Sequence, residues 1–282
     1  MKRVMWLVAL MLVALTVVPT AADADFYVIP IPGGVGTRIN SLPVIISQPG
    51  LYYLAKNLTY ASPLGEAIRV EADDVTLDLM GFCLTGPGKD TQDNRGIYVK
   101  DGLSNVEIRN GSLKSFGGYG IWAGGTTMGI RVIGIRVRDT KLSGMLLPGT
   151  DNLVMDCSAI NTGGDGIHAS GSTSLVKGCH VTGNSAYGIY VGSGSTVMGN
   201  VAKSNGSGIW ANFGSSVTDN SVDSNSAYGI YTSSYCTVTR NTARNNPLQG
   251  IYTISYCTIT NNTTQRLVYG TDCILADNNV SE

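Results

Sequence analysis

Asp165 and His168 form the part of this sequence best suited to acid–base chemistry. The chain of 282 residues contains only two His, and His168 follows the carboxylate of Asp165 by three residues. An imidazole and a carboxylate within reach of each other can remove a proton from a substrate and return it. Asp139 and Lys141 are expected to lie near the same point. These four residues are therefore candidate catalytic groups, although a lone His among aromatic residues is often only another stacked ring.

Aromatic residues recur around His168 at regular spacing. In seven of eight copies of a short Gly-Ile or Gly-Met motif, the next residue is aromatic or His. Sugars offer flat C–H faces that pack on aromatic rings, and a contiguous exposed patch of this kind usually marks a binding site. Stacked rings can also serve stability alone, at about 0.2–1 kcal/mol per cross-strand pair. The candidate substrate contacts are Tyr98, Trp122, Tyr190, Trp210, Tyr231 and Tyr252, with Tyr119, Tyr187 and Tyr228 just before the glycine.

The motif that carries these residues repeats along most of the chain. Its glycines recur every 20 to 24 residues, a period typical of a solenoid. Within each copy the apolar residue after the glycine alternates with the ring, which is the pattern of a half-buried strand. We therefore expect the aliphatic residues to line the interior and the rings to face outward. The glycines are Gly96, Gly120, Gly144, Gly166, Gly188, Gly208, Gly229 and Gly250.

A second repeated position predicts a bend between two strands of each coil. Asn tolerates left-handed backbone and forms local hydrogen bonds, so it suits such a bend. Stacked Asn side chains can also bond one another along the axis of a stacked-strand assembly. We interpret this column as structural. Its members are Asn200, Asn220, Asn241 and Asn262, preceded by Cys179, Cys157, Ile135 and Gly111.

Three strands per coil, a Gly-Ile strand opening and an Asn-bearing bend resemble the right-handed parallel β-helix of the pectate-lyase-like superfamily. Segments 72–81 and 108–113 are similar to segments of exported bacterial members. The resemblance covers roughly residues 44–275 and implies an all-β solenoid of roughly nine coils. It also implies that substrate binds along the first strand of each coil. The sequence departs from the superfamily's tandem-aspartate hydrolase pattern and its Asp-Pro-His epimerase pattern, which leaves the activity open.

The first residues predict export. Lys2 and Arg3 precede an apolar run, and a small-residue cleavage site follows at 22–24, as in a secretory signal peptide. We therefore divide the chain into a signal peptide at 1–24, an N-terminal cap with the first strands at 25–64, and the β-helix at 65–282. No second apolar stretch reaches spanning length, so we expect a periplasmic or extracellular protein without a membrane span.

Composition limits the partners and cofactors. Charged residues make up 14% of the chain and the net charge is −1, without the basic stripe that nucleic-acid binding requires. Four carboxylates (Glu71, Asp73, Asp74 and Asp78) could gather calcium, but adjacent acids before a strand more often form a turn. We expect no cofactor.

The cysteine spacing predicts stacked pairs on neighbouring coils. Cys157 and Cys179 are one repeat apart, as are Cys236 and Cys257. Parallel strands lie about 4.8 Å apart, whereas the Cβ atoms of a disulfide lie about 3.8 Å apart. A bridge would be strained, so we favour free, buried thiols.

Three hypotheses of function follow. The chain is an exported polysaccharide-binding scaffold, a lyase or epimerase acting on acidic polysaccharide at Asp165 and His168, or an envelope protein without a small ligand. The last coil ends close to Glu282, and exposed strand edges favour association. Self-association through the C-terminal end is therefore a further hypothesis.

Overall fold

The structure is a computed structural model that describes residues 36–281. The predicted signal peptide and residues 25–35 of the predicted cap lie outside this range. Within it, every regular element is a β-strand. None of the described segments forms a helix that could cross a membrane.

The first strand of each coil belongs to one parallel sheet of 11 strands, which we call the first-strand sheet. Its strand count corresponds to about ten coils, close to the predicted nine. The strands are Val44–Ile46, Gly65–Val70, Asn94–Val99, Ile121–Ala123, Met145–Leu146, Ile167–Ala169, Tyr187–Val191, Ser207–Ala211, Ile230–Thr232, Ile251–Thr253 and Leu267–Tyr269.

The second and third strands of the coils form a parallel sheet of 21 strands. Two of its strands, Glu107–Lys114 and Arg131–Arg138, are long enough to include both the second and the third strand of their coil. The others are Thr37–Ile39, Gly50–Leu54, Leu58–Thr59, Val75–Asp78, Cys83–Thr85, Leu153–Met155, Ser158–Ile160, Leu175–Lys177, His180–Thr182, Thr196–Met198, Val201–Lys203, Ser216–Thr218, Ser221–Asp223, Thr237–Thr239, Thr242–Arg244, Thr258–Thr260, Thr263–Gln265, Ile274–Ala276 and Asn279–Ser281.

The interior contains the aliphatic ladder that the repeat predicts. Each member pairs with its equivalent one coil away, and each is completely buried. Burying such a side chain stabilises the fold by about 1.5–3 kcal/mol. The ladder fixes which side of the first-strand sheet faces solvent. Its members are Ile97, Ile121, Met145, Ile167, Ile189, Ile209, Ile230 and Ile251.

From Asn105 to Arg266, each coil turns at three corners where one residue adopts a left-handed backbone. In one coil these residues are Asn105, Asn110 and Ser115, with φ of 54°, 56° and 61°. Short polar side chains and glycine tolerate this conformation best, because they carry little bulk near the following carbonyl. The corners account for much of the Asn, Asp, Ser and Gly in the sequence.

Two columns of Asn side chains tie the coils together. In the predicted column, Asn200 donates from its main-chain N–H and from Nδ2 to Oδ1 of Asn220, at 2.9 and 3.0 Å. The pattern continues to Asn278. Sequence analysis missed a second column at another corner, with identical bonding; its members are Asn184, Asn205, Asn225 and Asn246.

All six cysteines that the sequence contains are free thiols in the structure. The predicted pairs do occupy equivalent positions on neighbouring coils and are buried. The thiol of Cys157 and burial raise the pKa of Cys179, and Cys257 and burial do the same for Cys236. These two thiols are therefore protonated at neutral pH and act as small core residues.

The two ends of the described range differ. Near the start, Val44–Ile46 and Gly50–Leu54 pair in parallel with the next coil, so residues 36–64 already form solenoid strands. Near the end, Leu275 and Val280 occupy inward positions but are 38% and 45% exposed, because no strand within 36–281 covers them. Self-association through this end stays a prediction.

Candidate functional site

The register of the first-strand sheet brings the predicted outward residues into one line. Strand pairing places Tyr98 beside Trp122, His168 beside Tyr190, and Trp210 between Tyr190 and Tyr231. This line of outward residues, which we call the ring column, consists of Tyr98, Trp122, Leu146, His168, Tyr190, Trp210, Tyr231 and Tyr252. Its outer surface, with the residues that flank it, is the first-strand face.

Stacking is closest in the C-terminal half of the ring column. The rings of Trp210 and Tyr231 are 3.7 Å apart between centroids and 12° from parallel. Tyr252 continues the stack 5.0 Å from Tyr231. Tyr228 meets both tyrosines edge-on. The result is a continuous strip of half-buried rings.

Tyr187 connects this strip to His168. Its ring lies 5.6 Å from Tyr190 and 5.2 Å from Trp210. Tyr190 in turn stacks on the His168 imidazole at 4.6 Å and 10°. The predicted aromatic residues therefore form an unbroken series of ring contacts from His168 to Tyr252.

The N-terminal part of the column is different because arginines cover it. Arg69 and Arg95 lie over the Tyr98 ring, which is only 9% exposed. Arg95 also lies 4.1 Å above the Trp122 ring, and Tyr119 contacts Trp122 at 5.8 Å. Tyr98 therefore offers little surface to a ligand. Register alone does not reveal this, because long arginine side chains can reach several positions.

Asp165 holds the imidazole in place. His168 Nδ1 lies 2.7 Å from Asp165 Oδ2, and the main-chain N–H of Tyr187 donates to Asp165 Oδ1 at 2.8 Å. Asp165 is 9% exposed, whereas a quarter of the His168 side chain is accessible. A carboxylate on Nδ1 favours the tautomer with hydrogen on that nitrogen. In the neutral imidazole this tautomer leaves Nε2 as the acceptor nitrogen, which is the one that can act as a general base.

Two phenols lie close enough to Asp165 for its charge to raise their pKa. Burial raises the pKa of Tyr187, with further contributions from Asp165 and Tyr190. Burial also raises the pKa of Tyr119, with the charges of Asp93 and Asp165 adding to the effect and Arg95 opposing it. Both phenols therefore keep their protons at neutral pH and can donate them.

Asp139 and Lys141 are not joined to this pair. Asp139 occupies a corner, where its carboxylate contacts Arg138 and accepts a hydrogen bond from Asn161. Lys141 lies exposed in the turn that follows. Within residues 36–281 neither residue shares a hydrogen bond or ion pair with Asp165 or His168. Their participation in the site stays a prediction.

The acids considered for calcium each bind a different protein group. Asp73 accepts from Ser104, Asp74 from Asn105, and Asp78 pairs with Arg109, while Glu71 pairs with the Arg69 guanidinium. Over the described range, no group of three or more His, Cys, Asp or Glu is placed to hold a metal ion.

Comparison with known proteins supports the fold. The family described as "Right handed beta helix region" matches residues 90–205. No curated protein matches the sequence. Among solved structures, the A-module of mannuronan C-5 epimerase AlgE6 from Azotobacter vinelandii is similar with a TM-score of 0.52 and 16% identity, over 82% of this chain and 79% of that one.

Two further structures are similar at lower scores. The AlgE4 A-module from the same organism gives a TM-score of 0.49 at 11% identity, with coverage of 85% and 83%. The periplasmic alginate epimerase AlgG gives 0.48 at 11%, with coverage of 83% and 70%. At such identities the similarity concerns the fold alone. The chain has the right-handed parallel β-helix fold that the resemblance implied.

Proposed function

We propose that this protein is exported and binds polysaccharide along its first-strand face. The observation that carries the proposal is the strip formed by Trp210, Tyr231 and Tyr252 with Tyr187 and Tyr228 beside it. These rings are partly exposed although the aliphatic ladder behind them already fills the core. Contiguous exposed rings of this kind suit the flat C–H faces of sugars.

Polar groups beside the strip can bind sugar hydroxyls. Asn212 Nδ2 donates to the Tyr190 hydroxyl at 2.9 Å, and the Trp210 Nε1–H donates to Asn212 Oδ1 at 3.4 Å. Polar groups of this kind fix the orientation of a ligand, which stacking on the rings alone does not do. A pyranose ring has complementary chemistry, because its faces carry apolar C–H groups and its edge carries hydroxyl groups.

A glycan array carrying neutral and acidic oligosaccharides tests this proposal. We expect the wild-type chain to bind at least one glycan class, and Trp122→Ala/Trp210→Ala to bind it at least tenfold more weakly. Tyr53→Ala, in the second sheet, is the matched aromatic control and should bind as wild type does. Wild-type chain that binds no glycan would favour the envelope protein without a small ligand. If every bound glycan kept its full affinity after the double substitution, the binding site would lie away from the first-strand face.

Proton transfer at the Asp165–His168 pair is a second candidate function, favoured by the 2.7 Å contact. In this mechanism Nε2 of His168 removes the proton next to the carboxylate of a uronate residue. The phenol of Tyr187 or Tyr119 then returns a proton to the opposite face of the same carbon, as in an epimerase. In a lyase it protonates the departing glycosidic oxygen instead. The name of the AlgE6 module refers to the first of these reactions.

Variants at position 168 separate catalysis from binding. His168→Ala should abolish unsaturated-uronate formation and C-5 inversion on acidic polysaccharides while leaving glycan affinity within about threefold, because only a general acid–base group is removed. His180→Ala is the matched control. Wild-type chain that forms neither product would rule out this function and leave binding untouched.

A further inference from the structure

A second set of exposed rings lies away from the ring column. Phe213, Tyr235 and Tyr256 are 52%, 54% and 51% exposed. The Phe213 and Tyr235 rings are 5.0 Å apart, and Tyr235 stacks on Tyr256 at 4.9 Å and 14°. We call these three residues the corner platform.

The corner platform follows the first strand in three consecutive coils. Its residues come after Ser207–Ala211, Ile230–Thr232 and Ile251–Thr253, at the corner that leads into the second strand. No ring contact links it with the ring column in the described part of the chain. The platform is therefore a separate group of rings at the corner beside the first-strand face.

The backbone at this corner is unfavourable for large side chains. Tyr235 and Tyr256 have φ of 60° and 58°, and bulky residues rarely adopt this conformation. Other coils place Gly, Asp, Asn or Thr at the same position, for example Asn105 and Thr173. Two tyrosines thus occupy a strained position while leaving half of their surface in water. Strain of this kind tends to persist where a site requires it.

The three chain segments that carry the platform are polar but uncharged. Segments 211–218, 232–239 and 253–260 contain no Asp, Glu, Lys or Arg. Hydroxyl groups line the adjacent turn: Ser234 Oγ accepts from the Ser255 N–H, and the Thr271 hydroxyl donates to Ser255 Oγ, both at 3.3 Å. The first carboxylate along this corner is Asp272, in the next coil.

We propose that the corner platform is a second saccharide site, which binds the apolar face of a neutral hexopyranose. Parallel phenol rings supply stacking surface, while their hydroxyls and the neighbouring Ser and Thr side chains supply hydrogen bonds at the sugar's edge. The absence of charge in the three segments disfavours uronates and charged protein surfaces. This site does not rest on the function proposed for the first-strand face.

Substitution by the residue found at the same corner in another coil makes a sharp test. Tyr235→Asn/Tyr256→Asn removes both rings and relieves the left-handed strain, so the melting temperature should be equal to or higher than that of wild type. Binding is measured by calorimetry on the full chain with cello-, malto-, xylo- and manno-hexaose. We expect at least one neutral hexasaccharide to bind wild type and to bind the double variant at least tenfold more weakly.

Three controls identify the site. Thr173→Asn places Asn at the equivalent corner of a coil without platform rings and should leave affinity unchanged. Tyr235→Phe/Tyr256→Phe should keep most of the affinity because it keeps the rings. Trp122→Ala/Trp210→Ala should also keep this binding, which separates the platform from the first-strand face.

Three results would overturn the proposal. In one, no neutral hexasaccharide binds wild type. In another, the Asn double variant binds as tightly as wild type does. In the third, that variant changes only the sedimentation coefficient of the chain, which would identify the platform as a protein contact.

Discussion

The Asp165 carboxylate bridges two coils: one oxygen lies 2.7 Å from Nδ1 of His168, and the other accepts the main-chain N–H of Tyr187 in the next coil at 2.8 Å. Strand pairing fixes the distance between those coils. The orientation of the imidazole therefore depends on the solenoid itself as well as on the carboxylate. This relationship makes the tautomer of His168 a measurable consequence of the fold.

Asp165→Asn should reverse that tautomer while preserving the coil. The Asn oxygen can still accept the Tyr187 N–H, but its amide would donate to Nδ1 and leave the hydrogen on Nε2. Nitrogen-15 spectra should show Nδ1–H on neutral His168 in wild type and Nε2–H in the variant. His180 provides an internal reference, since its signals should not change. Identical His168 signals in both proteins would contradict this geometry.

Ile209→Asp should destabilise the solenoid strongly. Ile209 is completely buried in the aliphatic ladder, so the substitution places an unpaired charge in an apolar interior, at a cost of roughly 3–5 kcal/mol or a shifted ionisation. Thermal melting followed by circular dichroism should show a large drop in melting temperature. Ser221→Asp, on an exposed strand position, should melt as wild type does. Equal melting of both variants would mean that the inward register is wrong.

Asn220→Ala should weaken the Asn column. The substitution leaves the main-chain N–H and the Nδ2 of Asn200 without their acceptor on Asn220, and it removes the bond from Asn220 Nδ2 to Asn241 Oδ1. Unsatisfied buried donors cost about 1–3 kcal/mol each, so urea unfolding should move to lower concentration. Asn279→Ala, at an exposed position, is the control. An unchanged midpoint for Asn220→Ala would show that the column contributes nothing to stability.

Alkaline pH should destabilise the fold partly through Tyr187. Burial and Asp165 raise its pKa above the usual value of 10.0, so the folded chain holds this proton more tightly than the unfolded chain does. The resulting stabilisation is complete below about pH 10 and is lost as pH rises through the folded-state pKa. Tyr187→Phe should therefore lose less stability than wild type as the pH rises above about 10. Parallel losses in urea titrations would contradict the raised pKa.

Much of this architecture could be predicted because a strict repeat constrains it. The glycine preceding Ile209 and its equivalents fixes strand position, and alternation then fixes the side that Trp210 faces. The second Asn column, represented by Asn205, has the same spacing as the predicted one and could have been found. Sequence thus determines elements that recur once per coil.

Other features depend on conformations that no repeat specifies. Arg95 covers Trp122 because its long side chain is held by Glu66 and Asp93, each 2.8 Å away, and such reach is invisible in strand register. Asp139 contacts Arg138 and Asn161 at its corner, and the repeat does not specify these partners. The repeat specifies backbone positions, but it does not specify how far a long side chain reaches or which groups a corner residue binds.

A crystal structure of the chain with the oligosaccharide that it retains on the glycan array tests the central claim most directly. We expect sugar rings lying along the first-strand face, with at least one pyranose stacked on Trp210 or Tyr231. A sugar bound only elsewhere on the chain, with those rings left in water, would contradict it.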